Sequence, residues 1–283
     1  MRVVKETARR VLSDGRFEVL VRAGHAAKAV VFGVVGIMAA RLALGDRGET
    51  PDFAGALETM SDRPLDVLFL AVLALGLLAY AMWRFAYAFA DPDNRNGSLA
   101  GWAQRAIMLG VGVTYAGFGF YAVALLLGMR RDNEGIRDET ATLFTLPMGR
   151  WLVAGIAAGV VVAGLRELYV AFTARFREEF GNARLPDWER PLVLGAGWWG
   201  HAARGAIYAV AGFYGIKAAV TYDPDEARGV ADTLWEIGTG PWGTWLLLFI
   251  AAGLVAFGIY SLLLAIHRHV PDADESTPEE RMP

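Results

Sequence analysis

Six apolar stretches, separated by short segments dense in charge, constrain this chain more than any other feature. They run at about Gly24–Leu44, Leu65–Phe89, Ile107–Leu127, Arg150–Phe172, Gly200–Val220 and Trp242–Ile266. Each reaches the roughly 17–25 residues that a helix needs to cross the hydrocarbon core of a bilayer. Lipid offers no water to backbone N–H and C=O groups, so spans of this kind are helical. Composition agrees: 55% of residues are apolar and 20% charged, with the charge confined to the ends of the stretches. A soluble enzyme, a secreted domain and a disordered chain are excluded. The expected fold class is an all-α integral membrane protein with six transmembrane helices.

The chain has no Cys, which removes disulfides, thiol catalysis, Cys-ligated zinc and iron–sulfur clusters. A net charge of −3 leaves no basic surplus for nucleic acid. Residues 1–23 carry six basic residues without the apolar core of a signal peptide, and Val4, Ala8, Val11 and Leu12 fall at helical spacing. An interfacial amphipathic segment is expected there. With six spans, sixteen Lys and Arg fall on the side of the N-terminus and seven on the other. The positive-inside rule then makes both termini cytoplasmic, including the acidic tail at 269–283. Trp102, Trp198 and Trp199 mark the inner edge of the spans, and Trp151, Trp242 and Trp245 the outer edge.

The spans repeat in pairs. A shift of 83 residues carries Arg22 to Arg105, Phe32 to Tyr115, Gly36 to Gly119, Pro64 to Pro147 and Gly76 to Gly159. A shift of 176 carries Gly24-His25-Ala26-Ala27-Lys28 to Gly200-His201-Ala202-Ala203-Arg204, Phe32 to Tyr208, Gly36 to Gly212 and Arg41 to Lys217. Gly253 stands twelve residues after Pro241, as Gly76 does after Pro64. The organisation is therefore repeat one at 24–90, repeat two at 100–175 and repeat three at 198–268. Each repeat holds two spans, so all three enter the membrane in the same sense, around a pseudo-three-fold axis near the membrane normal. The aromatic–glycine pairs Phe32/Gly36, Tyr115/Gly119 and Tyr208/Gly212, with Gly76, Gly159 and Gly253, are expected to let helix backbones approach closely. Leu57, Thr140 and Leu234 precede the three prolines at matching positions and predict a short interfacial helix before each second span. The acidic residues crowded there, Asp52 and Glu58 among them, read as a solvated outer face, since no EF-hand spacing appears.

These residues resemble the domain-of-unknown-function family 1206, bacterial membrane proteins built of three two-helix repeats. The resemblance rests on Arg22…Phe32…Gly36 and its two copies. It rests also on Pro147-Met148-Gly149-Arg150-Trp151-Leu152 and Pro241-Trp242-Gly243-Thr244-Trp245-Leu246. The first copy, Pro64-Leu65-Asp66, lacks the Gly and Trp. The resemblance implies a fold and a membrane location and transfers no functional residue.

Ionisable residues inside spans are functional candidates by default. Here they are Lys28 and Arg204, about one turn inside the cytoplasmic edge, and the outer-edge cations Arg41 and Lys217. The plain expectation is snorkelling, with stems buried and charges at the headgroups. The sharper one places His25 beside Lys28, and His201 beside Arg204, as a lipid- or anion-binding set. Glu167 falls at a span edge, no proline breaks a span, and no G-x-S-x-G, H-E-x-x-H or phosphate-loop motif occurs. No enzyme activity, cofactor or metal is therefore expected. The expected role is a non-enzymatic scaffold, accessory or lipid-interacting protein, with membrane lipids and a membrane protein as partners. A pore or small-solute carrier along the axis is the alternative. A haem-binding redox subunit through His25 and His201 is a third reading, which lack of a Soret band in the purified protein would end.

Overall fold

The computed structural model describes residues 15–46, 51–59, 64–90, 99–129, 136–180 and 185–267. The N-terminal positions Val4, Ala8, Val11 and Leu12 and the acidic tail lie outside them. The described residues form helices and no strand. In chain order the helices are α1 (Gly15–Ala43), α2 (Phe53–Thr59), α3 (Pro64–Ala90), α4 (Leu99–Leu126), α5 (Ile136–Phe144), α6 (Gly149–Thr173), α7 (Glu189–Thr221), α8 (Val230–Thr239) and α9 (Gly243–His267). Each repeat thus contributes a long, a short and a long helix. Short 3-10 helices follow α6 (Arg175–Phe180) and α7 (Pro224–Glu226).

Five of the long helices, α1, α3, α4, α6 and α9, are apolar enough over enough length to cross a membrane. The fifth expected span lies in α7, which is the longest helix at 33 residues but carries His201, Arg204 and Lys217. Large apolar side chains such as Val72, Leu75, Phe120, Phe172 and Val220 stand exposed around the bundle. Exposure on this scale suits lipid rather than water. The chain is a multi-pass membrane protein. The helix that holds the first expected span, α1, begins at Gly15 and runs unbroken to Ala43.

Packing follows one rule. The second long helix of each repeat lies most extensively against the first long helix of the next: α3 on α4, α6 on α7, and α9 back on α1. A glycine notch sits at the same register in all three. A methyl group on Gly36 would lie 2.7 Å from Val255, one on Gly119 2.7 Å from Leu78, and one on Gly212 2.7 Å from Val161. Leu78, Val161 and Val255 are themselves equivalent in the repeat. Backbones this close gain dispersion contacts that a lipid chain cannot match.

The short helices do as their spacing predicts. Leu57, Thr140 and Leu234 are all buried, and each short helix touches a long helix of its own or a neighbouring repeat. In the second and third repeats the residue after proline, Met148 or Trp242, is left-handed. The following Gly149 and Gly243 abut the carbonyls of Leu143 and Gly238, where a side chain would collide. The first copy needs no glycine, because α3 begins directly at Pro64.

Contacts inside a repeat break the pattern. In repeat one α1 packs on α3, and in repeat three α7 packs on α9, but no comparable packing joins α4 to α6 in repeat two. Gly24 lies under Tyr80, and Gly76 under Ala27; in repeat three Gly200 lies under Phe257, and Gly253 under Ala203. In repeat two Ile107 replaces the first glycine and Ala163 the ring. Gly159 is a correction to the expected packing set, since a methyl group there would meet nothing within 4 Å. Gly110, the counterpart of Ala27 and Ala203, is equally free. Burial agrees: Leu73 and Ile250 are 3% and 4% exposed, and their counterpart Ile156 is 53% exposed. Repeat two thus lacks both the glycine and the ring that seat the paired helices of the other repeats, and Ile107 stands 40% exposed.

Gly253→Leu is expected to lower stability by about 1–3 kcal/mol through overpacking. Gly159→Leu is expected to leave it unchanged or slightly raised, because leucine is the better helix former. Thermal unfolding of the two variants in mild detergent measures the contrast.

Candidate functional site

The inward faces of the long helices carry a ladder written by the repeat. On α1, His25, Lys28 and Phe32 occupy one face; α7 offers His201, Arg204 and Tyr208, and α4 offers Met108, Val111 and Tyr115. On the second helices, Tyr80 and Arg84 of α3 correspond to Ala163 and Glu167 of α6 and to Phe257 and Ser261 of α9. One register position is thus cation, carboxylate and hydroxyl in successive repeats.

Lys28 and Arg204 do not snorkel. Lys28 is buried, and its ammonium donates to the Tyr80 hydroxyl at 3.3 Å. It lies 4.8 Å from the centre of the Tyr80 ring, 5.1 Å from that of Phe257 and 5.9 Å from that of Tyr115. Arg204 donates to Glu167 Oε2 at 3.2 Å and to the Tyr208 hydroxyl at 3.1 Å. Its guanidinium sits 4.2 Å from the same Phe257 ring and 5.1 Å from Phe32. The two cations therefore meet across one aromatic face. Ring quadrupoles stabilise desolvated cations, and this interior supplies such rings on several sides.

Arg84 completes the cluster. It donates to the Tyr80 hydroxyl and to Met108 Sδ, the latter at 3.0 Å, and stacks 4.4 Å over Trp83. Glu167 is not a solvated edge residue but a buried one. It pairs with Arg204 and, at 2.6 Å, with His201 Nδ1. Its other oxygen faces Arg166 at 3.5 Å. The two histidines flank the cations, and His201 shares Glu167 with Arg204. His25 packs edge-on against Tyr80, and His201 lies parallel to Phe176 at 5.6 Å. Phe176, from the 3-10 helix after α6, holds its place through its carbonyl, which accepts from Tyr260 at 2.8 Å. On the other side Phe53 of α2 packs against Phe32, Tyr115 and Phe118. The outer-edge cations stay apart from the cluster: Arg41 closes on Asp46 at 2.6 Å and Lys217 on Glu226 at 2.8 Å.

The charges do not balance locally. Among the described residues Glu167 is the carboxylate in contact with the cluster, and it serves Arg204. None lies within ion-pair distance of Lys28, although the charge of Glu179 reaches both Lys28 and Arg84. The Nε–H groups of Arg84 and Arg204 are buried with no acceptor among the described atoms. Such an arrangement is chemically suited to take an anion. Of its members, the span pattern points to Lys28 and Arg204. Arg84 and Glu167 are legible only through their shared repeat register, one turn beyond Tyr80 and Ala163.

Glu167→Gln leaves Arg204 buried without a countercharge and is expected to cost about 3–5 kcal/mol. Combining it with Arg204→Met should recover part of that loss. A double-mutant cycle on thermal unfolding reads both.

The Domain of Unknown Function (DUF1206) model matches residues 23–91, 108–174 and 199–268. The chain is 29% identical over 251 residues to the uncharacterized protein YxxB of Bacillus subtilis (strain 168), covering 88% of this chain and 90% of that one. No solved structure matches. With three family matches laid end to end over the three repeats that build the bundle, this chain belongs to the DUF1206 family.

Proposed function

We propose that this is a non-enzymatic, six-span protein of the bacterial cytoplasmic membrane whose core binds an anionic group. The observation that carries the reading is the buried ammonium of Lys28, with rings and a hydroxyl around it and no carboxylate at ion-pair distance among the described residues. Arg84 and Arg204 beside it hold Nε–H groups that an anion's oxygens would satisfy. A phosphate headgroup and a free phosphate share that chemistry. Membrane lipids are the first partner, and a scaffold or accessory role toward another membrane protein is compatible with them.

The remaining span, fifth in chain order, is α7. At 33 residues it is roughly 50 Å long, ample for a bilayer even with its polar residues turned inward. The packing of α3 on α4, α6 on α7 and α9 on α1 supports three repeats around a pseudo-three-fold axis. The excess of Arg and Lys at the N-terminal side supports cytoplasmic termini. A pore through the bundle draws less support, because Phe32, Phe53, Tyr80, Tyr115 and Phe257 meet ring to ring.

The Cys-free chain gives a clean topology test. Asp187→Cys and Asp225→Cys, placed before and after α7, should react with an impermeant maleimide from opposite sides of sealed vesicles. Reaction from one side would remove the α7 span. For the site, inorganic phosphate and phosphatidylglycerol should each raise the unfolding midpoint of the wild type. Lys28→Gln should unfold at a higher temperature than wild type when empty, since a buried charge is gone, and respond less to either anion. An unchanged response would refute the anion site. Solute flux through proteoliposomes that Lys28→Gln abolishes would favour the pore.

A further inference from the structure

We propose that the anionic ligand is a lipid of the cytoplasmic leaflet that enters sideways between α4 and α6. Its headgroup would rest on Lys28, Arg84 and Arg204 and one acyl chain would lie along the seam. The proposal rests on the anion-binding reading above and adds the class of ligand and its route.

The seam and the cations adjoin. Arg84 reaches α4 through Met108, and Arg204 reaches α6 through Glu167, so the cluster touches both walls. At its level repeat two places Val111 where the other repeats place Lys28 and Arg204, and Ala163 where they place Tyr80 and Phe257. The second repeat therefore contributes neither cation nor ring at the position that would seal the cluster from the side. Gly110 lies at that level on α4, and the walls continue toward the outer face through Thr114 on α4 and Gly159 and Ile156 on α6. All four are exposed. Thr114 is the telling one, because its counterparts Val31 and Ile207 are fully buried.

Charge complementarity selects the occupant. A strip floored by glycine and small side chains, running outward from buried cations, matches an anionic headgroup with a hydrocarbon tail. The headgroup brings the acceptors that the Arg84 and Arg204 Nε–H groups lack, and the chain fills a surface too narrow in side chains to bury itself. A transmembrane helix of another protein would fit the small residues, but it would have to bring its own carboxylate to the same depth. Leu165 serves as the reference surface: it and its counterparts Met82 and Ile259 are exposed in all three repeats, as ordinary lipid-facing positions are.

The test is retention of phosphatidylglycerol by the intact purified protein, read by native mass spectrometry, beside stabilisation by soluble glycerol phosphate. Wild type and Leu165→Phe should retain phosphatidylglycerol. Gly159→Leu and Thr114→Phe, which narrow the seam from opposite helices, should lose it while still responding to glycerol phosphate. Two walls are used so that the conclusion does not hang on one variant folding. Retention unchanged in both seam variants would overturn lateral entry and leave the anion site standing. Loss of the glycerol phosphate response in the seam variants would also overturn it, because the seam would then be part of the site rather than a path. Release of a second copy or another polypeptide, with lipid unaffected, would assign the seam to a protein. If Lys28→Gln keeps both ligands, the anion reading itself falls.

Discussion

The bundle depends on close approach between the second long helix of one repeat and the first of the next. In lipid no hydrophobic effect drives helices together, so the gain must come from dispersion over surfaces that interlock. Gly36, Gly119 and Gly212 provide the notch, and Val255, Leu78 and Val161 fill it. Because both members recur at one register, a single contact geometry is used three times. Everything else is arranged on that frame. The short helices seat on the long ones, and the inward faces are brought to a common level.

What meets at that level is unusual for a membrane interior. Lys28 shares the Tyr80 ring with Arg84 and the Phe257 ring with Arg204, and Glu167 answers Arg204 and His201. Charge in this setting is costly unless paired and hydrogen-bonded. The aromatic faces and tyrosine hydroxyls lessen the cost without cancelling the charge. The local excess of positive charge is the feature of this protein that points beyond packing.

The second repeat is where the copies diverge. It carries Val111 for the cation, Ala163 for the ring, Glu167 for Arg84 and Ile107 for the glycine that seats the ring. The first two leave repeat two without a cation or ring at that level, the third supplies the countercharge, and the fourth replaces a glycine that packs under a ring in the other repeats. Divergence concentrated at equivalent positions around one site links asymmetry of sequence to asymmetry of shape. The unpaired pair Gly110 and Gly159 is the direct sign of it.

Much of the architecture was legible in the chain itself. Apolar length predicts the long helices, and repeat register predicts the short helix before each second span. These are local properties, fixed by backbone hydrogen bonding and by sterics over a few residues. Burial of Lys28, the pairing of Glu167 and the gap at Gly159 were not legible in the same way. A cation near a span edge is equally able to snorkel or turn inward, and a glycine is a notch only if another helix arrives. Those outcomes depend on which rings and helices lie opposite, across sequence separations of tens to hundreds of residues. The sequence by itself determined a membrane protein built of three copies of one helical unit. The tertiary structure decided which copy stays open and where the charge is buried, because both are set by partners that only folding brings together.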